Sequence, residues 1–144
     1  MKQKVSIFWF RRDLRLEDNV GLYYALIGKY PVLPIFIFDT NILDQLSKND
    51  ARVSFIYNTL QNLKQTLKAN YKSDLAICYG KPEDVFKQLL LDYTVNAVYT
   101  NHDYEPYANE RDKDIESLLS GYNIDFKTFK DQVVFEKDDI VKSD

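Results

Sequence analysis

Short apolar runs alternate with longer stretches of helical spacing along the whole of this chain, and that alternation narrows its possible folds more than any other feature. The runs Val5 to Phe10, Val32 to Phe38, Leu75 to Tyr79, Ala97 to Thr100 and Ile124 to Phe129 have the length and the β-branched or aromatic content of strands. The first three are apolar almost throughout, which suits strands covered on both faces. Between the runs, Val20 to Ile27, Ala51 to Ala69, Glu83 to Tyr93 and Tyr107 to Leu119 repeat apolar residues at helical intervals. Phe55, Leu60, Leu63 and Leu67 form the stripe of the longest of these. Asp50 is placed to cap that helix, and Lys81 with Pro82 to open the next.

The order β-α-β-α-β-α-β-α-β predicts an α/β fold, a three-layer Rossmann-like sandwich whose five-stranded parallel sheet carries helices on both faces. The expected strand order is 3-2-1-4-5. In that order the first and fourth strands are neighbours whose connections leave in opposite directions, so their carboxyl ends frame a crevice suited to a ligand. Both rims are unusual. Strand one runs into "RRDLRLEDN", with Arg11, Arg12 and Arg15 among three acids, and strand four runs into the polar, aromatic "NHDYEPY" from Asn101 to Tyr107.

Local explanations exist for much of this charge. Asp13 can pair with an arginine, Asp18 or Asn19 can cap the first helix, Glu105 can cap the helix that Pro106 opens, and Arg111 with Asp112 reads as a surface pair. Arg11 differs, because the strand end directs it toward the crevice and its fork of donors suits carboxylate, phosphate or ring carbonyl oxygens. Asp103 and Glu105 project from the opposite rim, so two carboxylates facing Arg11 and Arg52 suit a flat heteroaromatic ligand with NH and carbonyl edges. No catalytic dyad is implied.

Other chemistries lack their residues. There is no G-x-G-x-x-G and no Walker-type loop among only four glycines, so a glycine-built phosphate cradle is unsupported. One cysteine, Cys78, and one histidine, His102, do not make a zinc site, and no metal is expected. Cys78 reads as a small buried hydrophobe, His102 as a loop residue, Trp9 as core and Gly80 as a turn requirement. A net charge of -3 gives this chain no attraction for nucleic acid phosphates of its own. No apolar run approaches the roughly 18 residues of a membrane span, so a cytoplasmic, membrane-free protein is expected.

The sequence resembles the amino-terminal domain of the DNA photolyase and cryptochrome family. The resemblance rests on "WFRRDLRLEDN" with Leu22 and Ala25, "LYYAL", "PIFIFD" at residues 34 to 39, "GKPEDV" at 80 to 85 and "NHDYEPYANERD" at 101 to 112, in family order over essentially the whole chain. It implies an α/β domain, residues 1–129, that holds a light-harvesting antenna chromophore, followed from 130 to 144 by the start of a linker. A helical carboxyl-terminal domain, absent from this chain, is then expected to bind FAD and damaged DNA and to split cyclobutane pyrimidine dimers. This domain alone is not expected to be catalytic.

Members that bind methenyltetrahydrofolate resemble one another in a histidine before the second helix and an Asn-Glu pair after the Tyr-Glu, where this chain has Ser47 and Tyr107-Ala108. Members with an FMN or deazaflavin antenna hold its ring against residues matching Phe38, Asp39, Arg52, Asp103 and Glu105, all kept here. The resemblance therefore implies a flavin-type antenna. Two other readings stand beside it: a cryptochrome light receptor, whose distinguishing residues lie mostly in the absent domain, and a free-standing nucleotide- or flavin-binding module of the same sheet topology.

Overall fold

β1 (Gln3–Phe10) lies at the centre of the sheet, and its side chains are buried from Val5 onward, in keeping with a run that is apolar apart from Ser6. The structure, a computed structural model, describes residues 2–11, 13–40, 51–103 and 106–130. The remaining elements follow in strict alternation: α1 (Val20–Leu26), β2 (Val32–Asp39), α2 (Ala51–Tyr71), β3 (Ala76–Gly80), α3 (Pro82–Asp92), β4 (Tyr93–Asn101), α4 (Pro106–Ser120) and β5 (Asp125–Phe129). The strands form one sheet in the order β3-β2-β1-β4-β5, and every pairing is parallel. The expected α/β architecture and strand order are both present.

Alternating side chains of the central strands feed two separate cores. On one face Val5, Ile7, Trp9, Ile35, Ile37 and Val98 pack with Phe86 and Leu89 of α3 and Ile115 and Leu119 of α4. On the other, Phe8, Phe10, Phe36, Phe38 and Tyr99 pack with Leu22 and Ala25 of α1 and Leu60, Leu63 and Leu67 of α2. Trp9 meets Phe86 edge-on at 5.2 Å, a favoured geometry for aromatic pairs.

Three local expectations need correction. Phe55 is 71% exposed and leaves the α2 stripe, whose first contact is instead Ile56, one turn before Leu60. The reason is angular: Phe55 and Leu60 are five residues apart, which puts them on different sides of the helix. β3 is an edge strand and only partly covered, with Tyr79 exposed, so its apolar run does not mark burial on both faces. β4 starts at Tyr93, because α3 ends at Asp92 and the backbone turns directly into extended geometry. Between Val5 and Ile7 of β1, β4 advances from Val95 to Val98, one residue more, which is a bulge.

Helix starts follow the sequence where they are described. Asn19 caps α1 by accepting the Leu22 N–H at 3.1 Å. Pro82 occupies the first turn of α3 after Lys81, whose side chain makes no capping bond. Gly80 has φ +139°, a conformation that L side chains rarely adopt, so the expected turn requirement is real. Asp50, Ser47 and Glu105 lie outside the described residues, as do residues 131–144 of the expected linker. No helix among the described residues is long and apolar enough to cross a membrane.

Candidate functional site

The carboxyl ends of β1 and β4 are adjacent, since Trp9 pairs with Thr100, and both expected rims meet there. What fills the space between them is polar. The Asn101 side chain is the hub: its Oδ1 accepts the Gly21 N–H at 2.7 Å, and its Nδ2 donates to Asp13 Oδ2 and to Asn19 Oδ1 at 2.7 Å. Asn19 in turn donates to the Arg15 carbonyl at 2.9 Å. Asp13 also accepts the Arg11 backbone N–H at 2.8 Å. Asn101, Asn19 and Asp13 are all buried, and buried polar groups persist only when their hydrogen bonds are made.

Gly21 is required by this arrangement. A Cβ there would lie 2.8 Å from Asn101 Oδ1 and 2.9 Å from a Phe8 ring carbon. The start of α1 thus sits against the end of β4 more closely than any side chain permits.

Arg11 is 7% exposed and its fork is engaged within the protein. Nη1 pairs with the Asp112 carboxylate, and Nη2 donates to the Asn101 carbonyl at 2.6 Å. Burial pushes this guanidinium below its usual pKa, opposed chiefly by the Asp112 charge. Arg111 holds Asp103 at 3.0 Å and lies 3.5 Å from Asp112. Arg111 and Asp112 are therefore not a surface pair, since their side chains are 9% and 15% exposed. Both guanidinium groups lie over the Trp9 ring, at 4.8 Å and 5.1 Å.

The network continues to β2. The Tyr107 hydroxyl donates to Asp39 Oδ2 at 2.7 Å, and Arg111 lies 5.7 Å over the Tyr107 ring. Asp39, Tyr107, Arg111, Asp103, Asp112 and Arg11 thus run across the carboxyl ends of β2, β1 and β4. Among the described residues of this network two guanidinium groups meet three carboxylates, so it carries no positive surplus of the kind that traps phosphate.

Of the expected site residues, the structure brings Arg11, Asp39 and Asp103 together on the face that carries α3 and α4. The expected pairing differs in detail, because Asp103 faces Arg111 and Arg11 faces Asp112. Phe38 points to the opposite face, buried under Tyr79 in a stacked contact at 4.9 Å. Arg52 is exposed on the first turn of α2, and Glu105 is outside the described residues. Reading the sequence alone gives Asn101, Gly21 and Tyr107 no individual role and takes Asp112 only as a surface partner of Arg111. A signal for the first two was available: asparagine at the end of a buried strand and glycine in a helix's first turn both ask for a polar, close partner.

Comparison with known proteins bears on this arrangement. The DNA photolyase family model matches residues 6–144. A deoxyribodipyrimidine photo-lyase of Synechococcus sp. is 34% identical over 135 residues, which is 94% of this chain and 28% of that protein. Drosophila melanogaster cryptochrome-1 is 33% identical over 126 residues, 84% of this chain and 23% of its own length. Among solved structures, an archaeal photolyase from Sulfolobus tokodaii superposes with a TM-score of 0.75 at 35% identity, covering 89% of this chain and 29% of that one. It was solved with two FAD molecules and is described as implying a novel light-harvesting cofactor. This chain spans about a quarter of the length of these relatives.

Proposed function

The chain belongs to the DNA photolyase family, and from that premise we propose that residues 1–129 are the light-harvesting, chromophore-binding domain of a deoxyribodipyrimidine photolyase, with 130–144 beginning the linker to a second domain. The observation that carries this reading is the family match over residues 6–144 combined with coverage of only 28% of a repair enzyme. The remaining three quarters of such a protein hold FAD and damaged DNA and repair cyclobutane pyrimidine dimers under blue light. The net charge of -3 accords with that division, because DNA contact is left to the other part.

The antenna we assign is of flavin type, FMN or deazaflavin, in preference to methenyltetrahydrofolate. Two observations favour it. The Sulfolobus tokodaii relative holds two FAD molecules at 35% identity. In addition, the positions where folate-binding members carry Asn-Glu are held here by Tyr107, which donates to Asp39, and by the fully buried Ala108, so neither supplies an amide or a carboxylate to a ligand. The ring's contacts are assigned to Asp39 and Asp103 at the carboxyl ends of β2 and β4, with Arg52 of α2 and Glu105; Phe38, which faces the α1 and α2 layer, backs β2 there and does not share that face. Arg11 stands behind them and holds Asp112.

When bound, such a chromophore supplies absorption of near-ultraviolet or blue light and passes its excitation on. The chain's own residues orient it: Asp39 offers an acceptor whose position is fixed by Tyr107, and Asp103 one fixed by Arg111. Titrating the chain with FMN, a deazaflavin and methenyltetrahydrofolate, followed by absorbance and by chromophore fluorescence, tests the assignment. A flavin-type ligand should bind and the folate should not, with Arg52→Ala and Asp103→Ala weakening binding tenfold or more, about the worth of one charge-assisted hydrogen bond. No bound chromophore, with both variants unchanged, sinks the reading. The cryptochrome reading is favoured by the match to Drosophila cryptochrome-1, and dimer repair by the full-length protein separates the two.

A further inference from the structure

β5 forms the second edge of the sheet, and among the described residues no strand pairs with its outer side. Such an edge is a template for another strand. Phe129 turns its backbone groups toward β4, where its carbonyl accepts the His102 N–H at 2.7 Å. Backbone groups alternate in direction along a strand, so those of Asp125 and Lys127 also face β4, while those of Phe126 and Thr128 face outward. Side chains alternate too, between the two faces of the sheet. Phe126 packs on the α3 and α4 face, whereas Lys127 lies 5.4 Å over the Tyr99 ring on the α1 face, with Asp125 on its side.

Beside Phe126 the edge opens into a groove of about 650 Å³, lined by Glu116, Ser117 and Ser120 of α4 and by Ile124. Ile124 and Phe126 are only partly buried there, and Asp125, Lys127 and Thr128 are exposed. The strand "DFKTF" is complementary to itself in one alignment. Paired antiparallel about Phe126, two copies set Phe126 against Phe126 and each Asp125 against the other copy's Lys127. Phe126 is then a hydrogen-bonded pair, as its outward backbone groups require, and Asp125 with Lys127 is the closer pair without such bonds. Centred one residue later, the strands would bring two lysines together and leave their facing backbone groups turned away. The charges that guard an edge against association thus select one partner in one register.

We infer that the open edge of β5 is a homodimer interface, in which two copies pair antiparallel about Phe126 and their sheets become continuous. The two Phe126 rings enter the grooves beside α4, and the Asp125–Lys127 pairs lie on the α1 side. The inference is independent of any chromophore.

Sedimentation equilibrium of the chain over rising concentration tests it. A dimer forms and association stops there, because the two-fold pairing uses the edge up. Lys127→Asp sets acid against acid in both pairs and weakens the dimer about tenfold, with far-ultraviolet circular dichroism unchanged. Asp125→Lys combined with Lys127→Asp exchanges the charges and returns the dissociation constant to within about threefold of the original. Thr128→Pro removes an outward N–H without touching a bond to β4, so it abolishes the dimer and keeps the fold. A chain that stays monomeric up to about 1 mM overturns the inference, as does a dimer that Lys127→Asp or Thr128→Pro leaves unchanged. A charge reversal that the exchange does not repair overturns it as well.

Discussion

Removing the Asn101 side chain should unfasten the loop after β1 from the end of β4. Asn101→Ala leaves the Gly21 N–H without its 2.7 Å acceptor and Asp13 Oδ2 without its Asn101 donor, and it takes one of two donors from Asn19 Oδ1. A buried group stripped of its partner costs about 1–3 kcal/mol. Asn19 keeps its bond from Leu22 and Asp13 its bond from Arg11, so the loss should stay near the low end for these two. The sum is about 3–5 kcal/mol, out of a total of about 5–15 for a domain of this kind. Asn101→Asp sharpens the test. It keeps an acceptor for Gly21 but sets a second carboxylate against Asp13, so it should be at least as destabilising as alanine. Urea unfolding followed by the emission of Trp9, the sole tryptophan and 2% exposed, reports both. A melting temperature lower by about 10 °C is the thermal equivalent. A cost under about 1 kcal/mol for alanine, or an aspartate variant more stable than it, refutes a role for Asn101 in holding these elements together.

Arg11→Leu should destabilise by about 3–5 kcal/mol because it strands the Asp112 carboxylate, and adding Asp112→Leu should recover part of that in chemical denaturation. Gly21→Ala should cost about 1–3 kcal/mol, since its methyl has nowhere to go, and urea unfolding measures it. Burial pushes the Cys78 thiol up, so its reaction with a thiol reagent at pH 8 should be many times slower in the folded chain than in urea. The Asp74 carboxyl is pushed up by burial, but the Lys64 ammonium at 2.8 Å and the Leu75 N–H outweigh that and hold it below its usual value. A depressed carboxyl lends stability above the unfolded pKa of about 3.9 and loses it as pH falls through the folded value. Asp74→Asn should therefore lower the melting point slightly at neutral pH and not at all in strong acid, with the difference shrinking in high salt because the pair is half exposed.

Strand order and helix placement were legible because each central strand is a dense apolar run and each helix repeats leucine or phenylalanine at its own period. Burial along each strand was less so. β3 reads like β1 in composition, and although the expected order already put it at the edge, nothing in "AICYG" says that it is only partly covered. The polar site was half legible. The crowding of charge at residues 11–18 pointed to the right place, but its partners lie far along the chain: Asp112 is 101 residues from Arg11, and Asn101 is 88 from Asp13. Such distances hide whether an arginine waits for a ligand or already has a carboxylate. For that reason the fork of Arg11 looked open in the sequence and is closed in the fold.

The extra residue in β4 is local in its effect. Val95 and Val98 face the α3 and α4 side while Ala97 and Tyr99 face α1, so the strand changes phase once near Asn96. Asn101, five residues later, turns toward Gly21 and Asn19, while Thr100 turns to bond the Trp9 carbonyl. Deleting Asn96 would regularise the ladder and leave both aspects in place, because Val95, Ala97, Val98 and Tyr99 would then alternate with the facing they already have. The extra residue is thus a local slack between the foot and the head of the strand, and its removal should spare what the head displays.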